Sequence, residues 1–257
     1  MTVVDAVLIL LAGVAAGTIN AAVGSGSLIT FPTLLALGFP PVLANVSNNI
    51  GLVPGGAASV WGYRQELADQ WRRLLVLGSM SVLGGAAGAV LLLVLPAAAF
   101  QSVVPVLIGV AVALVATQTW IARALAGRRE RRGQEARADV GPAAMVATAL
   151  AGVYGGYFGG AQGILLVGML GTVMSETLQR LNALKNGLVT IVNAVAAVTF
   201  LIVAPGQVDW RIVGLIAAGS TGGGLLGSRI GRMLPQPVLR GIIVVVGLVA
   251  IVSLLLP

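Results

Sequence analysis

The stretches Thr2–Val23, Leu74–Leu95, Val103–Ala122 and Arg240–Leu256 each run for 17 to 22 largely apolar residues. That is the length at which a helix, rising about 1.5 Å per residue, crosses a hydrocarbon layer about 30 Å thick. Nothing else in the chain restricts its fold as strongly. Only 9% of the 257 residues are charged and 58% are hydrophobic, whereas a water-soluble domain carries about 25% charged residues. Polar side chains are too few to cover a globule in water. The strict apolar–polar alternation of a membrane barrel strand is absent. The sequence therefore predicts an all-α polytopic membrane protein. Its opening, MTVVDAVLIL, has Asp5 and no basic residue, and reads as a retained first span rather than a signal peptide.

The chain contains no cysteine and no histidine, which removes disulfides, thiol chemistry and the usual zinc ligands; neither metal nor cofactor is expected. The net charge of +7 does not point to nucleic acid. Six of the fifteen basic residues lie between Arg123 and Arg137, and in a membrane protein such a cluster marks a cytoplasmic segment.

That segment, GRRERRGQEARADVGP (Gly127–Pro142), divides two halves that repeat one another. Trp71-Arg72 recurs 139 positions on as Trp210-Arg211. Gly84, Gly85 and Gly88 recur as Gly223, Gly224 and Gly227, and Gly13-Val14 and Gly17 as Gly152-Val153 and Gly156. Between these blocks the shift is 137, so that Gly26 meets Gly163, Asn45 meets Asn182 and Asn49 meets Asn186. The expected organisation is a first membrane repeat over 1–126, a basic cytoplasmic linker over 127–141 and a second membrane repeat over 142–257.

Each repeat reads as five helical segments: 3–22, 26–38, 42–62, 72–95 and 98–122, then 142–159, 163–175, 178–203, 211–232 and 237–256. The second segment of each half is too short to span without help, and a glycine-rich break precedes it, NAAVGSGS (Asn20–Ser27) and GGYFGGAQG (Gly155–Gly163). Broken backbone is tolerated in a membrane only where it faces protein or water. The short segment is either re-entrant or spanning. Arginines give the orientation. Tyr63–Arg73 and Arg229–Arg240 carry three each and are expected on the cytoplasmic side with the linker. Ala204–Trp210 has none and is expected outside. The loops Tyr63–Arg73 and Ala204–Trp210 are equivalent in the repeat yet fall on opposite faces, which predicts two inverted repeats. That inference fails if the first two segments form one broken crossing.

Inverted repeats interrupted at matching places point to a secondary transporter whose site lies where the breaks meet. The candidate residues are polar ones inside spans. Asn45 and Asn49, and likewise Asn182 and Asn186, are four apart and share a helical face; amides there either bind a desolvated oxyanion or tie helices together. Asn48 and Lys185 are equivalent. Lys185, the only lysine, either attracts an anion or snorkels to the interface. Ser25, Ser27 and Gln162 add donors at the breaks, beside the helix-break glycines Gly24, Gly26, Gly159, Gly160 and Gly163. The mid-helix glycine triplets are read as close-packing positions instead. All eight acids lie in loops or near span ends. Donors therefore outnumber acceptors around the breaks, and the expected substrate is anionic.

The stretch NAAVGSGSLITFPTLLALGFPPVLANVSNNIG (Asn20–Gly51), with GGYFGGAQGILLVGMLG and RLNALKNGLV in the second half, resembles the sulfite exporter TauE/SafE family, also called the toluene-sulfonate uptake permease family. The resemblance covers nearly the whole chain. It implies transport of sulfite, small organosulfonates or related sulfur oxyanions, often outward, and its glycine runs fall on Gly24, Gly26, Gly159, Gly160 and Gly163. Ser25 and Ser27, and Met169 at the place of Pro32, depart from the usual pattern.

The resulting expectation is a multi-pass protein of the cell inner membrane that exports a small sulfur-containing anion by alternating access. A passive anion channel, a carrier of a non-sulfur carboxylate and a non-transporting scaffold are the rivals. An intramembrane enzyme lacks any catalytic constellation. The coupling ion, a proton or a sodium ion, is not set by these residues.

Overall fold

A computed structural model describes residues 1–131, 140–174 and 176–230, together with 241, 243–246, 248–249 and 251–252. Among these residues ten α-helices run without interruption, two short 3-10 turns occur at Ala68–Gln70 and Pro205–Gln207, and there is no strand. The first half supplies α1 (Val3–Ala22), α2 (Ser27–Ala36), α3 (Pro41–Gly62), the single turn α4 (Arg64–Leu67), α5 (Trp71–Val94) and α6 (Ala97–Arg131). The second supplies α7 (Pro142–Tyr157), α8 (Gln162–Val173), α9 (Leu178–Val203) and α10 (Trp210–Ile230). Helix α6 runs on through Arg131 into what the sequence assigns to the linker. The expected loop Arg229–Arg240 lies mostly outside the described residues; of the last segment only 241, 243–246, 248–249 and 251–252 are described, and these are helical.

Local chemistry sets these boundaries. Thr2 and Asp5 form a reciprocal cap on α1, prolines open α3 and α7, and Thr177 caps α9. Among the described residues four stretches are long and apolar enough to cross a bilayer: Val3–Ala22, Arg64–Val94, Ala97–Thr117 and Leu178–Val203. Helices α2 and α8 are shorter, with 10 and 12 residues.

Glycines dictate how the helices meet. Along α1 and α10, Gly13 lies beside Ile216, Gly17 beside Ser220, Val14 beside Gly223 and Thr18 beside Gly227. Along α5 and α7, Gly84 abuts Ala149 and Gly152, and Gly88 abuts Val153 and Tyr157. In each of these seams a Cβ on the glycine would meet backbone, so the absent side chain is what permits the approach. The repeated triplets thus seat the fourth segment of each half, α5 or α10, on the first helix of the other half. This exchange is absent from any reading of the halves as separate bodies: α10 packs with α1 and α3, and α5 with α7 and α9.

The same pairings give direction. Residue numbers rise together along α1 and α10, and along α3 and α10, where Gly51 meets Val213, Gly55 meets Ser220 and Gly62 meets Ser228. They also rise together along α5 and α7, and along α5 and α9, where Leu74 meets Gly187 and Gly85 meets Val192. Helices α1, α3 and α10 therefore run one way. Only the short α4 and a 3-10 turn separate α3 from α5, so α5, α7 and α9 run the other. Because α1 and α3 are parallel, the chain doubles back through α2.

Candidate functional site at the helix breaks

Helix α1 ends inside the protein, and all four of its terminal carbonyls have partners. Ile19 O accepts from the N–H groups of Val23 and Gly24, at 2.7 and 3.1 Å. The next three are met by α9: Lys185 Nζ donates to Asn20 O at 3.0 Å and Ala21 O at 3.4 Å, Asn186 Nδ2 to Ala21 O at 3.2 Å, and Asn182 Nδ2 to Ala22 O at 3.1 Å. A helix end in a membrane leaves these groups without water, and one turn of α9 replaces it.

The second break copies the device in part. Tyr154 O accepts from the N–H groups of Phe158 and Gly159, as Ile19 O does in the first. Asn45 Nδ2 donates to Tyr157 O, the last carbonyl of α7, at 3.0 Å, as Asn182 does for α1. Gly24 and Gly159 turn the chain with φ of 88° and 80°, left-handed values that glycine adopts without strain. Ala161, the N-cap of α8, has φ of 59°. Gly160 O accepts from the Tyr154 hydroxyl at 2.6 Å, and Gly26 sits against Ala16 O and Asn20.

The two breaks touch. Gly163 N–H donates to Gly24 O at 3.0 Å, and a Cβ on Gly24 would lie 2.6 Å from Gly163 Cα. The Lys185 stem passes the same crossing, with Cδ 3.0 Å from that Cβ position. Lys185 is fully buried, so it runs inward and does not snorkel. Aromatic edges brace the surroundings: Phe31 of α2 packs on Phe158 and Phe100, with ring centroids 5.4 and 6.4 Å apart.

Asn45, Asn182 and Asn186 thus spend donors on helix carbonyls in this conformation. Other candidates do not. Ser25 Oγ, Asn48 Nδ2, Asn45 Oδ1 and both amide atoms of Gln162 are buried without a hydrogen-bond partner. Ser25 adjoins Gly24 and Gln162 adjoins Gly163, so they flank the contact between the breaks. Asn48 is held by Thr30 Oγ1, which donates to Asn48 Oδ1 at 2.5 Å and leaves the amide N–H groups unused. Ser27 is half-buried near Gly159, and Asn49 is buried on α3. Leaving a buried polar atom unpaired costs about 1–3 kcal/mol, so each of these atoms is a candidate to be met by a bound group.

Sequence reasoning missed Thr30, Gln70 and the carbonyls of Asn20–Ala22. Thr30 sits in an apolar run with nothing to distinguish it. Gln70 donates to Arg180 O at 3.0 Å, beside a network in which Glu176 binds Arg73 and Arg180, at 2.5 and 2.8 Å, and Asp69 approaches Arg180 at 3.6 Å. Glu176 and Arg180, four residues apart, form one arm of it. This network ties the start of α5 to the start of α9. At the opposite ends of the helices, the Asp209 N–H donates to Ser47 Oγ at 3.0 Å.

The chain is similar to a probable membrane transporter protein of Haemophilus influenzae, 25% identical over 91% of this chain and 88% of the relative. It is 26% identical to the probable membrane transporter protein YfcA of Escherichia coli K12, over 93% and 86%. The probable membrane transporter protein ORF9 of a Sinorhizobium species is also 26% identical, over 93% and 88%. No solved structure matches. The family model for sulfite exporter TauE/SafE matches residues 9–254, across both breaks and all ten helices described above; with that span and those relatives, this multi-pass membrane transporter belongs to the sulfite exporter TauE/SafE family.

Proposed function

We propose that the protein is a secondary transporter of a small sulfur-containing anion (sulfite, a sulfonate or a related organosulfur oxyanion), acting as an exporter by alternating access between two inverted repeats. The observation that carries this reading is the set of unpartnered buried groups on the breaks and on α3: Ser25 Oγ and the Gln162 amide, each next to a glycine of the crossing, and Asn48 Nδ2, held from α2 by Thr30, with the buried Lys185 at the crossing itself. A sulfonate or sulfite offers several oxygens that accept from such donors, and neutral donors let it leave again. Asn45, Asn182 and Asn186 hold the helix ends that frame the site. Support for the inverted relation comes from helix direction: α1, α3 and α10 oppose their counterparts α7, α9 and α5. The description of the family supports sulfur chemistry and the outward direction. In this reading the Tyr63–Arg73 end and the linker 127–141 are cytoplasmic, and the Arg73–Glu176–Arg180 network closes that side.

Uptake into proteoliposomes of labelled sulfite, thiosulfate, sulfoacetate and taurine, with a carboxylate control, tests it. Saturable flux of a sulfur anion is expected. Preference for the carboxylate overturns the substrate class. Unsaturable flux with continuous conductance replaces the carrier with a channel.

A further inference from the structure

We propose that the transporter couples each anion to one proton, and that Lys185 carries that proton. The inference rests on the anion reading above and concerns the coupling ion, which that reading leaves unassigned.

The argument is a count of donors and charges. The Lys185 nitrogen has two acceptors in the structure, Asn20 O and Ala21 O. A neutral amine has two N–H donors and an ammonium has three. The two carbonyls therefore account fully for the neutral group and leave the third donor of an ammonium without a protein acceptor. Among the described residues no carboxylate is placed to balance a charge there. Helices α2, α3, α7 and α8 carry no acidic or basic side chain, and α7 contributes only the phenols of Tyr154 and Tyr157, the former bound to Gly160 O. On α1 the sole acid is Asp5, at the other end of the helix in the cap with Thr2. From α4 and α5 and the turn between them come Arg64, Glu66, Asp69, Arg72 and Arg73, at the mouth of α9. There Glu176 is bound by Arg73 and Arg180, ahead of the first residue of α9, Leu178, which itself lies about 10 Å along the helix axis from Lys185. Asp209 lies beyond the far end of α9 and holds the N–H groups of Arg211 and Ile212.

The α1 carboxyl end supplies roughly half a negative charge, short of a full counter-ion. A fully buried ammonium without a partner is expensive. The anion completes the balance. In the cycle, an anion and a proton enter from one side, the amine takes the proton, and the ammonium's third N–H meets the anion beside Ser25, Asn48 and Gln162. Both leave on the other side and the amine returns neutral. A monoanion then crosses with no net charge, so export is driven by the anion's own outward gradient, is indifferent to the membrane potential and is opposed by an alkaline interior.

Methanesulfonate is the probe, because it is a strong-acid monoanion that brings no proton of its own. Proteoliposomes containing the full chain and an internal pH dye are given labelled methanesulfonate. The expected result is internal acidification at one proton per anion. An inside-alkaline gradient of one pH unit should give about tenfold accumulation, and an imposed potassium potential should give none. Lys185→Arg, whose guanidinium keeps its proton, should lose the proton signal while anion binding persists. Lys185→Gln should lose both. Anion accumulation that follows the membrane potential with no dye response overturns the proposal and leaves the transport reading intact. Proton movement retained in Lys185→Gln overturns it equally. If the wild-type protein moves none of the panel of anions, both readings fall together. The wild-type stoichiometry decides the matter even where a variant fails to insert.

Discussion

Glycine is tolerant or indispensable in this protein according to what surrounds it. Gly24 and Gly38 both have left-handed backbone, with φ of 88° and 82°. A Cβ at Gly38 would meet nothing within 4 Å, whereas one at Gly24 would lie 2.6 Å from Gly163 Cα. Gly38→Ala should therefore cost only the left-handed penalty, about 1–2 kcal/mol. Gly24→Ala adds an overpacking cost of about 1–3 kcal/mol and forces the two breaks apart. Thermal melting in detergent should rank Gly24→Ala well below Gly38→Ala, and equal losses would contradict the contact between the breaks. Gln162 makes the opposite bargain. Its amide is buried with neither atom paired, so Gln162→Leu should stabilise the empty protein by about 1–3 kcal/mol while weakening methanesulfonate binding at least tenfold. A variant that binds normally would remove Gln162 from the site.

Helix seams obey the same rule at larger size. Gly222 and Gly223 are neighbours on α10, but Gly223 faces Val14 and Thr18 of α1 while a Cβ on Gly222 would meet nothing within 4 Å. Gly222→Leu should alter stability by less than about 0.5 kcal/mol. Gly223→Leu should unseat α1 and abolish recovery of monodisperse protein. Comparable behaviour of the two variants would mean that α1 does not lie on that face. At the start of α9, Glu176 is only 13% exposed and holds two guanidinium groups. Glu176→Gln removes a charge-assisted bond to each, at about 1.5–3 kcal/mol per bond. If the network closes the cytoplasmic side, a cysteine at Ala183 should become more reactive to a thiol reagent in Glu176→Gln than in the parent. Unchanged reactivity would reduce the network to a static brace.

At the scale of the whole molecule, helix direction sets which ends share a side. The chain has no native cysteine, so single cysteines report cleanly. One placed at Gly206 should react with an impermeant reagent from outside intact cells, and one at Gln65 should not. Reaction of both from the same side would end the inverted reading. The exchange of α5 and α10 between halves also bears on folding: neither half buries its first helix without the other half's fourth segment. Expressed apart, residues 1–126 should not give a stable membrane protein, and co-expression with 142–257 should restore a purifiable complex.

Segment boundaries were legible because lipid leaves a helix little choice. The apolar runs, the prolines at Pro41 and Pro142 and the glycine-rich breaks place most described termini within two residues of those expected from sequence. The repeated Gly-Gly-x-x-Gly blocks and the first asparagine of each Asn-x-x-x-Asn block, Asn45 and Asn182, likewise marked residues that the structure uses in equivalent ways. What each polar residue does was not legible. Nothing in the chain says that Lys185 and Asn186 of α9 would find the carbonyl end of α1, more than 160 positions away, or that Thr30 would hold Asn48 and free its amide. Sequence by itself determined the solvent and the segments, since those follow from local hydropathy and covalent order, and its matched blocks are the ground on which a duplication is proposed. Only the tertiary structure decided the exchange of helices, the meeting of the breaks and which buried groups are left unpaired, because these depend on which backbones approach closely enough to exclude a side chain.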